Sequence, residues 1–469
     1  MALQHLETAP ERLRVVVVGA GPAGTRCAEA LVAAGITPTV VDENNRDGGQ
    51  IYRRQPEGFT RPYAQLYGSE AAKAQALHES FDRLRPFINY LPQTLAWNIT
   101  ADQLHCVSNG VHATLDYDAV VLCTGATDRL MPVRGWQLPG NYSLGGAQIG
   151  LKAQAIAIGR KVTFLGTGPL LYLVAKQYLD AGVPIAAVLD TSSRMKKLGA
   201  LPKLLAQPKL LLQGFKYWAQ LRLARVPVYQ GVEPLEIKGN AAAGVSAICF
   251  HASRQIRKID CDAVASGYHL RPEAQLADLA GCEFHFDEHS AQWLLTVDSN
   301  GRTSVAGVYS AGDSASVRGA DAAEQSGWLV AQALLKDQGQ AVDNSLMQAS
   351  EQRLQAFERF RIGINQAFQW PAHLVRSLTR EAIVCRCEMI TAGELRDSAT
   401  TRKTFEFNRV KAFCRVGMGR CQGRYCSQAG AEVIAEQVWM PVKLVGRQRS
   451  QAPVKPIPLA FNGCSHESE

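Results

Sequence analysis

The sequence predicts an α/β fold: two nucleotide-binding-type βαβ units in tandem, followed by a small helical module. Three observations predict it. One short apolar strand runs into Gly19-Ala20-Gly21-Pro22-Ala23-Gly24, and a second runs into Gly166-Thr167-Gly168-Pro169-Leu170-Leu171. Near the C-terminus Cys385, Cys387, Cys421 and Cys426 stand as C-x-C and C-x4-C. The length of 469 residues suits roughly three domains. An apolar fraction of 46% and a charged fraction of 20% are ordinary for a globular chain in water. No apolar run reaches the roughly 20 residues that span a bilayer. Met1–Pro10 is polar and lacks the apolar core of a signal peptide, so export is not expected. Twelve cysteines in such a chain argue against a disulfide framework. Cys27, Cys123 and Cys249 read as buried thiols, which leaves the quartet to be explained.

The first unit opens with Arg14–Val18, a β-branched run read as a buried parallel strand, and continues into a helical stretch, Thr25–Ala34. Between them lies G-x-G-x-x-G in its strand–turn–helix setting. Gly19 makes the tight turn, Gly21 lets a pyrophosphate approach the backbone, and Gly24 lets the helix pack closely on the strand. Open N–H groups at the helix start hold the phosphates. The next strand ends in Asp42 and Glu43. Asp42, 23 residues after Gly19, stands where a carboxylate binds ribose hydroxyls, with Glu43 as the second candidate.

Three further motifs follow in order. They are Asp47-Gly48-Gly49-Gln50, a strand ending in Thr124-Gly125, and a strand ending in Gly312-Asp313. With them the chain resembles the flavoprotein family with two dinucleotide-binding domains that includes glutathione and thioredoxin reductases. The resemblance implies FAD as the cofactor of the first unit. It places Gly49, Gln50, Thr124, Gly125 and Gly312 in the cofactor site, Asp313 on the ribityl chain, and the helix from about Ala320 toward the flavin.

The second unit has Lys161–Leu165 and Ala186–Asp190 as strands, but Leu171 replaces the third glycine and demands a wider gap between helix and strand. Two readings stay open. Gly166 and Gly168 hold NAD(P), with Asp190 favouring NAD over NADP, or the fold is inherited and holds something else or nothing. Reductases of this kind need C-x-x-C or C-x4-C beside the flavin, and neither spacing occurs before Cys385. Electrons must therefore leave the flavin by another route. His269 and Arg271, in Gly267–Pro272, read as loop residues, with a cofactor-facing role as the alternative.

The net charge of +8 is concentrated. Residues 191–232 hold Arg194, Lys196, Lys197, Lys203, Lys209, Lys216, Arg222 and Arg225 and no acid. Leucines interleave with these bases through residues 191–226. They predict amphipathic helices that either cover the sheet or meet a membrane surface or a partner. Nucleic acid is excluded as a partner, because the apolar face is continuous and no recognition motif accompanies it.

Val384–Glu388 opens the last module, and Thr391 with Glu394 predicts a capping box at a helix start. Gly417–Cys426 is a glycine-rich loop before a second helix, about Ala429–Gln437. Its glycines let backbone N–H groups approach sulfur. Four thiolates suit a [2Fe–2S] cluster or zinc. The C-x-C pair counts against zinc, and an empty, degenerate site is the third reading. The stretch resembles the bacterioferritin-associated-ferredoxin type of [2Fe–2S] domain, which implies Cys385, Cys387, Cys421 and Cys426 as iron ligands. Cys414 reads as a core thiol and Cys464 as incidental.

The resulting fold is an FAD-binding Rossmann-like domain with an inserted second nucleotide-binding-type domain, plus a small C-terminal helical [2Fe–2S] domain. The FAD-binding domain takes residues 1–144 and returns over 269–340, and the inserted NAD-type domain takes 145–268. A linker helix takes 341–379, the [2Fe–2S] domain 380–440 and a tail 441–469. This order resembles the α-type subunits of multi-subunit amino-acid and opine oxidases. Gly48–Arg53, Thr124–Asp128, Gly166–Leu171 and Gln451–Pro456 carry the resemblance. It implies a flavin- and iron–sulfur-containing electron-transfer subunit of an amine dehydrogenase. Within the family, oxidation of glycine to cyanide and CO2 is the first expectation and opine (octopine or nopaline) oxidation the second. A stand-alone NADH:acceptor reductase is the rival. The implied partners are a glycine-oxidase-like flavoprotein and a small ferredoxin-like protein, in a complex peripheral to the cytoplasmic side of the cell membrane. Cys421→Ser is expected to retain yellow flavin absorbance and lose the iron–sulfur spectrum, with iron analysis as the measurement.

Overall fold

The computed structural model describes residues 13–458. The reading of Met1–Pro10 and that of Cys464 lie outside the described residues.

Four consecutive valines, Val15–Val18, form a strand buried on both faces, as the centre of a parallel sheet requires. The sheet runs in the order Val308–Ser310, Ala119–Leu122, Val15–Val18, Thr39–Val41, Asn89–Leu91, all parallel. The helix Pro22–Ala33 begins with proline, whose missing N–H costs nothing at that position. It packs against Ala320–Asp337 so closely that a Cβ on Gly327 would fall 2.0 Å from the Ala23 oxygen. The second sheet repeats the winding: Val228–Gln230, Ile185–Asp190, Val162–Thr167, Ala263–Tyr268, Asn141–Ser143, again all parallel. Each sheet carries a three-stranded antiparallel meander, Thr94–Ile99 to Val111–Asp116 on the first and Glu233–Asn240 to Gln255–Asp260 on the second.

The chain crosses between the sheets twice, and the two crossings pair with each other. Ala126–Asp128 runs antiparallel to Leu270–Pro272, with Arg271 opposite Thr127. Asn141–Ser143 is already the edge strand of the second sheet, bonded to Val264–Ser266. The second domain therefore takes up chain ahead of residue 145, at the crossing strand rather than at the helix that follows.

The expected linker helix spans Asn344–Ala367 and does not lead away from the body. Its first half buries Met347 and Leu354 against Leu329 and Ala333, and its end buries Ala367 against Ala200 and Leu204. It thus clamps the helices of the first domain to the basic helices of the second. Those basic helices are Arg194–Gly199, Leu201–Leu204 and Pro208–Leu223. They bury few side chains. Met195, Leu198, Leu212, Phe215 and Leu223 are 61–84% exposed, so much of the apolar surface faces outward instead of covering the sheet. No helix among the described residues is long and apolar enough to cross a membrane.

The C-terminal module packs Ala392–Thr401, Phe407–Cys414 and Ser427–Gln437 around Phe407, Val410, Val433 and Ile434. Both halves of the capping box are present, Thr391 Oγ1 accepting from Glu394 N at 3.1 Å and Glu394 Oε2 from Thr391 N at 2.7 Å. Cys414 packs against this core, and Cys27, Cys123 and Cys249 are buried thiols.

Candidate functional site

The first glycine turn is built by close approach. A Cβ on Gly24 would lie 1.8 Å from the Gly19 oxygen, so only glycine lets the helix meet the strand. A Cβ on Gly21 would meet nothing nearer than the Gly49 Cα at 3.6 Å, which leaves this backbone open to a phosphate. The Gly48–Gln50 segment lies over the turn, with Gly48 N donating to Ala20 O at 2.9 Å. Asp42 turns inward: Oδ2 accepts from Ala20 N at 2.7 Å and Oδ1 from Asn44 N at 2.7 Å. Burial pushes its carboxyl up, and those N–H groups work against the shift. Glu43 points elsewhere and pairs with Lys455 of the tail. Arg53, which the sequence reading did not single out, donates to Asn44 Oδ1 at 2.9 Å and to Gln50 Oε1 at 2.8 Å. Across the sheet, Gly312 packs on Ala23, and Asp313 Oδ1 accepts from Arg318 N at 2.8 Å and Gly319 N at 3.2 Å. The helix Ala320–Asp337 starts immediately after. These residues fit a dinucleotide, and the open backbone at Gly21 would receive its diphosphate.

The cysteine quartet sits on the crossing strands. Trp136, just beyond the first crossing, donates Nε1–H to Ile383 O at 2.6 Å and anchors the Cys385–Cys387 arm. The segment after the second crossing anchors the other arm through successive carbonyls. Gln275 donates to Gln422 O at 2.8 Å, and Arg271 to Arg424 O at 3.0 Å. Arg424 donates to Cys421 O at 3.2 Å and forms a two-pronged ion pair with Glu273, at 2.7 and 3.0 Å. Burial raises the Glu273 carboxyl, but Arg424 and Arg271 outweigh it and hold the group below its ordinary range.

A peptide plane whose carbonyl points outward points its N–H the other way. The N–H groups of Gly423 and Tyr425 reach the Cys421 sulfur, and those of Gly417, Glu388 and Cys387 reach Cys385. The thiols touch in a row, Cys385 and Cys421 against Cys426 and Cys387 against Cys421. The Cys426 thiol draws Cys385 down to about 6, and the sulfur-facing N–H groups add to that. Cys421 is lowered in the same way, and Cys426 is pushed well above its ordinary value by donating to both. Two ready thiolates, N–H donors around sulfur and two thiols per arm suit a [2Fe–2S] cluster. Among the described residues, no group of three or more such side chains closes on a single metal ion. Cys385 and Cys426 are buried, whereas Cys387 is exposed.

The second glycine turn is filled by the chain itself. Asp190 is fully buried and accepts from Tyr172 Oη, Lys197 Nζ, Ser192 N and Ser192 Oγ at 2.5–2.8 Å. No acceptor remains for a ribose. The His269 ring lies against Gly168, and its Nε2 bonds Phe368 O. Burial pushes His269 down to about 4. Leu171 fills a core position beside Phe164 and Val188 and explains the lost glycine.

Residues 13–327 match the pyridine nucleotide-disulphide oxidoreductase family. The chain belongs to that family. Residues 383–436 match the BFD-like [2Fe-2S] binding domain, and the protein is a flavoprotein with FAD and [2Fe–2S] as its cofactors. Curated relatives span the whole chain. An opine oxidase subunit of Rhizobium meliloti is 35% identical over 98% of this chain and 89% of its own length. Its counterpart in Agrobacterium tumefaciens (strain Ach5), also an opine oxidase subunit, is 36% identical over 95% and 90%. Hydrogen cyanide synthase subunit HcnB of Pseudomonas aeruginosa is 28% identical over 97% and 100%. The opine relatives are therefore more alike than the cyanide-forming one, the reverse of the order expected from the motifs. Among solved structures, L-proline dehydrogenase from P. horikoshii shares the fold, with a TM-score of 0.73 at 18% identity over 95% of this chain and 78% of that one.

Gly19, Gly21, Gly24, Asp42, Gly49, Gly312 and Asp313 thus come together around one turn, and the four cysteines around another. Thr124 links them, since its Oγ1 donates to Glu273 O at 2.5 Å. Glu273 and Arg424 escaped the sequence reading. The signal was slight: an acid directly after Arg271-Pro272, and an arginine between two candidate ligands. Both are largely buried, with side-chain exposures of 14% and 8%. Arg424→Met is expected to cost about 3–5 kcal/mol by leaving Glu273 buried and unpaired. Arg424→Met with Glu273→Met is expected to restore most of that loss, read as urea midpoints of the full chain.

Proposed function

We propose that this chain is the electron-carrying subunit of a multi-subunit dehydrogenase that oxidises the C–N bond of an opine or amino acid. The hydrogen-bonded run from Thr124 through Glu273 and Arg424 to Cys421 carries the reading, because it joins the flavin-side strand end to a cluster ligand. FAD takes electrons in pairs and a [2Fe–2S] centre passes them singly, so the two together convert one kind of transfer into the other. The protein's own residues keep the two sites in register. Trp136, Arg271, Gln275 and Arg424 hold both cysteine arms on the interdomain crossing, and the Gly417 and Gly423 N–H groups stabilise negative charge on sulfur.

Substrate oxidation is assigned to a partner subunit, of glycine-oxidase-like chemistry, with a small ferredoxin-like protein as a further partner. His269 and Arg271 are both spent on main-chain partners, so neither offers a base to a substrate. An opine is the first substrate reading, supported by relatives at 35–36% identity. Glycine, with cyanide as product, is the second, supported by full-length relatives at 28–29%. The rival NADH reductase is disfavoured by the filled ribose position at Asp190. The acid-free segment 191–232, with its outward leucines, is assigned to peripheral contact with an anionic bilayer.

The isolated full chain is expected to show no turnover of octopine, nopaline or glycine with an artificial acceptor, and substantial turnover would overturn the assignment. Rapid flavin bleaching by stoichiometric NADH under anaerobic conditions would favour the reductase. In sedimentation with vesicles, the chain is expected to follow those containing phosphatidylglycerol and not pure phosphatidylcholine.

A further inference from the structure

A cavity is bordered by Ser310, Ala315 and Ser326, next to the Gly312-Asp313 turn and apart from the cysteines. Its volume is about 320 Å³, at the lower end for small-molecule sites. The long helix Asn344–Ala367, the helix Ala320–Asp337 and the strand Gln292–Leu295 enclose it, and Leu294, Val297, Leu329 and Leu354 give it apolar walls. Arg318 projects into this space. Its Nε is sealed from solvent without a hydrogen-bond partner, and its guanidinium forms no ion pair among the described residues. The neighbouring arginine differs. Arg361 is engaged by Glu358 and Asp287 at 2.7–2.8 Å. Glu358 and Asp313 act on the Arg318 charge without bonding to it, and the carboxylates that also line the cavity, Asp298, Glu351 and Glu358, are held by Arg302, Ser299 and Arg361. A guanidinium nitrogen buried without a hydrogen-bond partner is costly. One facing a cavity has the means to be satisfied by a ligand.

We propose that this cavity is a binding site for a small monoanion with an apolar body, its carboxylate head on Arg318 and its aliphatic part among the leucines. A planar guanidinium presents paired donors that match a carboxylate. The site adjoins the flavin turn through one residue. The backbone N–H of Arg318 donates to Asp313 Oδ1 at 2.8 Å, so whatever holds the Arg318 side chain also steadies the G-D aspartate. The proposal does not depend on which amine the complex oxidises.

The test is calorimetric titration of the full-length chain, loaded with flavin and cluster, with hexanoate, hexan-1-ol and inorganic phosphate. Hexanoate is expected to bind. Hexan-1-ol is expected to bind about tenfold or more weaker, the loss that follows from removing one charge-assisted hydrogen bond. Arg318→Leu is expected to weaken hexanoate by a similar factor while raising the thermal midpoint of the ligand-free protein, since a buried guanidinium nitrogen without a hydrogen-bond partner is gone. Leu354→Trp keeps Arg318 and fills the cavity, and is expected to abolish hexanoate binding with flavin absorbance unchanged. Binding of phosphate without hexanoate, failure of all three probes, or hexanoate affinity unchanged in both variants overturns the proposal.

Discussion

The buried ion pair between Arg424 and Glu273 is the contact on which the rest of the arrangement depends. It joins the loop between the last two cysteines to the chain segment that has just returned from the second domain. Around it, Arg271 and Gln275 hold neighbouring carbonyls of the same loop, and Thr124 holds the Glu273 main chain from the flavin side. Charges this buried are tolerated only when every lone pair and N–H finds a partner, and here the partners come from both domains. The pair therefore fixes the position of the C-terminal module and the direction of the peptide planes in its cysteine loop.

That second effect reaches the chemistry. The loop needs its N–H groups turned toward sulfur, and glycines alone permit such a conformation without choosing it. Gln448, from the tail, closes the choice by donating to Gly417 O and lying against Gly423. The tail continues along the first domain, with Val454 N donating to Trp97 O at 3.0 Å and Lys455 paired with Glu43. The stretch from Gln448 to Lys455 is thus part of the scaffold around both cofactor sites.

Much of this was legible in the residues. The turns at Gly19–Gly24 and Gly312 were visible because close backbone approach leaves only glycine as an option, and such positions show in a string of letters. The capping box at Thr391 and Glu394 was visible for the same reason, since it is local. What stayed hidden is long-range. Asp190 looked like a ribose acid, and nothing local showed that Lys197 and Tyr172 would take its oxygens. The leucines of residues 194–223 had helical spacing, yet periodicity names a face without saying what it meets. Asn141–Ser143 has no apolar run of its own and becomes a strand only because the second sheet offers it an edge.

The two paired crossing strands give the molecule a fulcrum. Both connections to the inserted domain pass through Ala126–Asp128 and Leu270–Pro272, so any swing of that domain pivots about this short ribbon. The cysteine loop is fastened at the pivot itself, where the lever arm is shortest. Any tilt about it would displace the far meander more than the cysteine loop. Because tunnelling between redox centres falls steeply with distance, fastening the cysteine loop at this ribbon would keep electron flow insensitive to strain in the inserted domain.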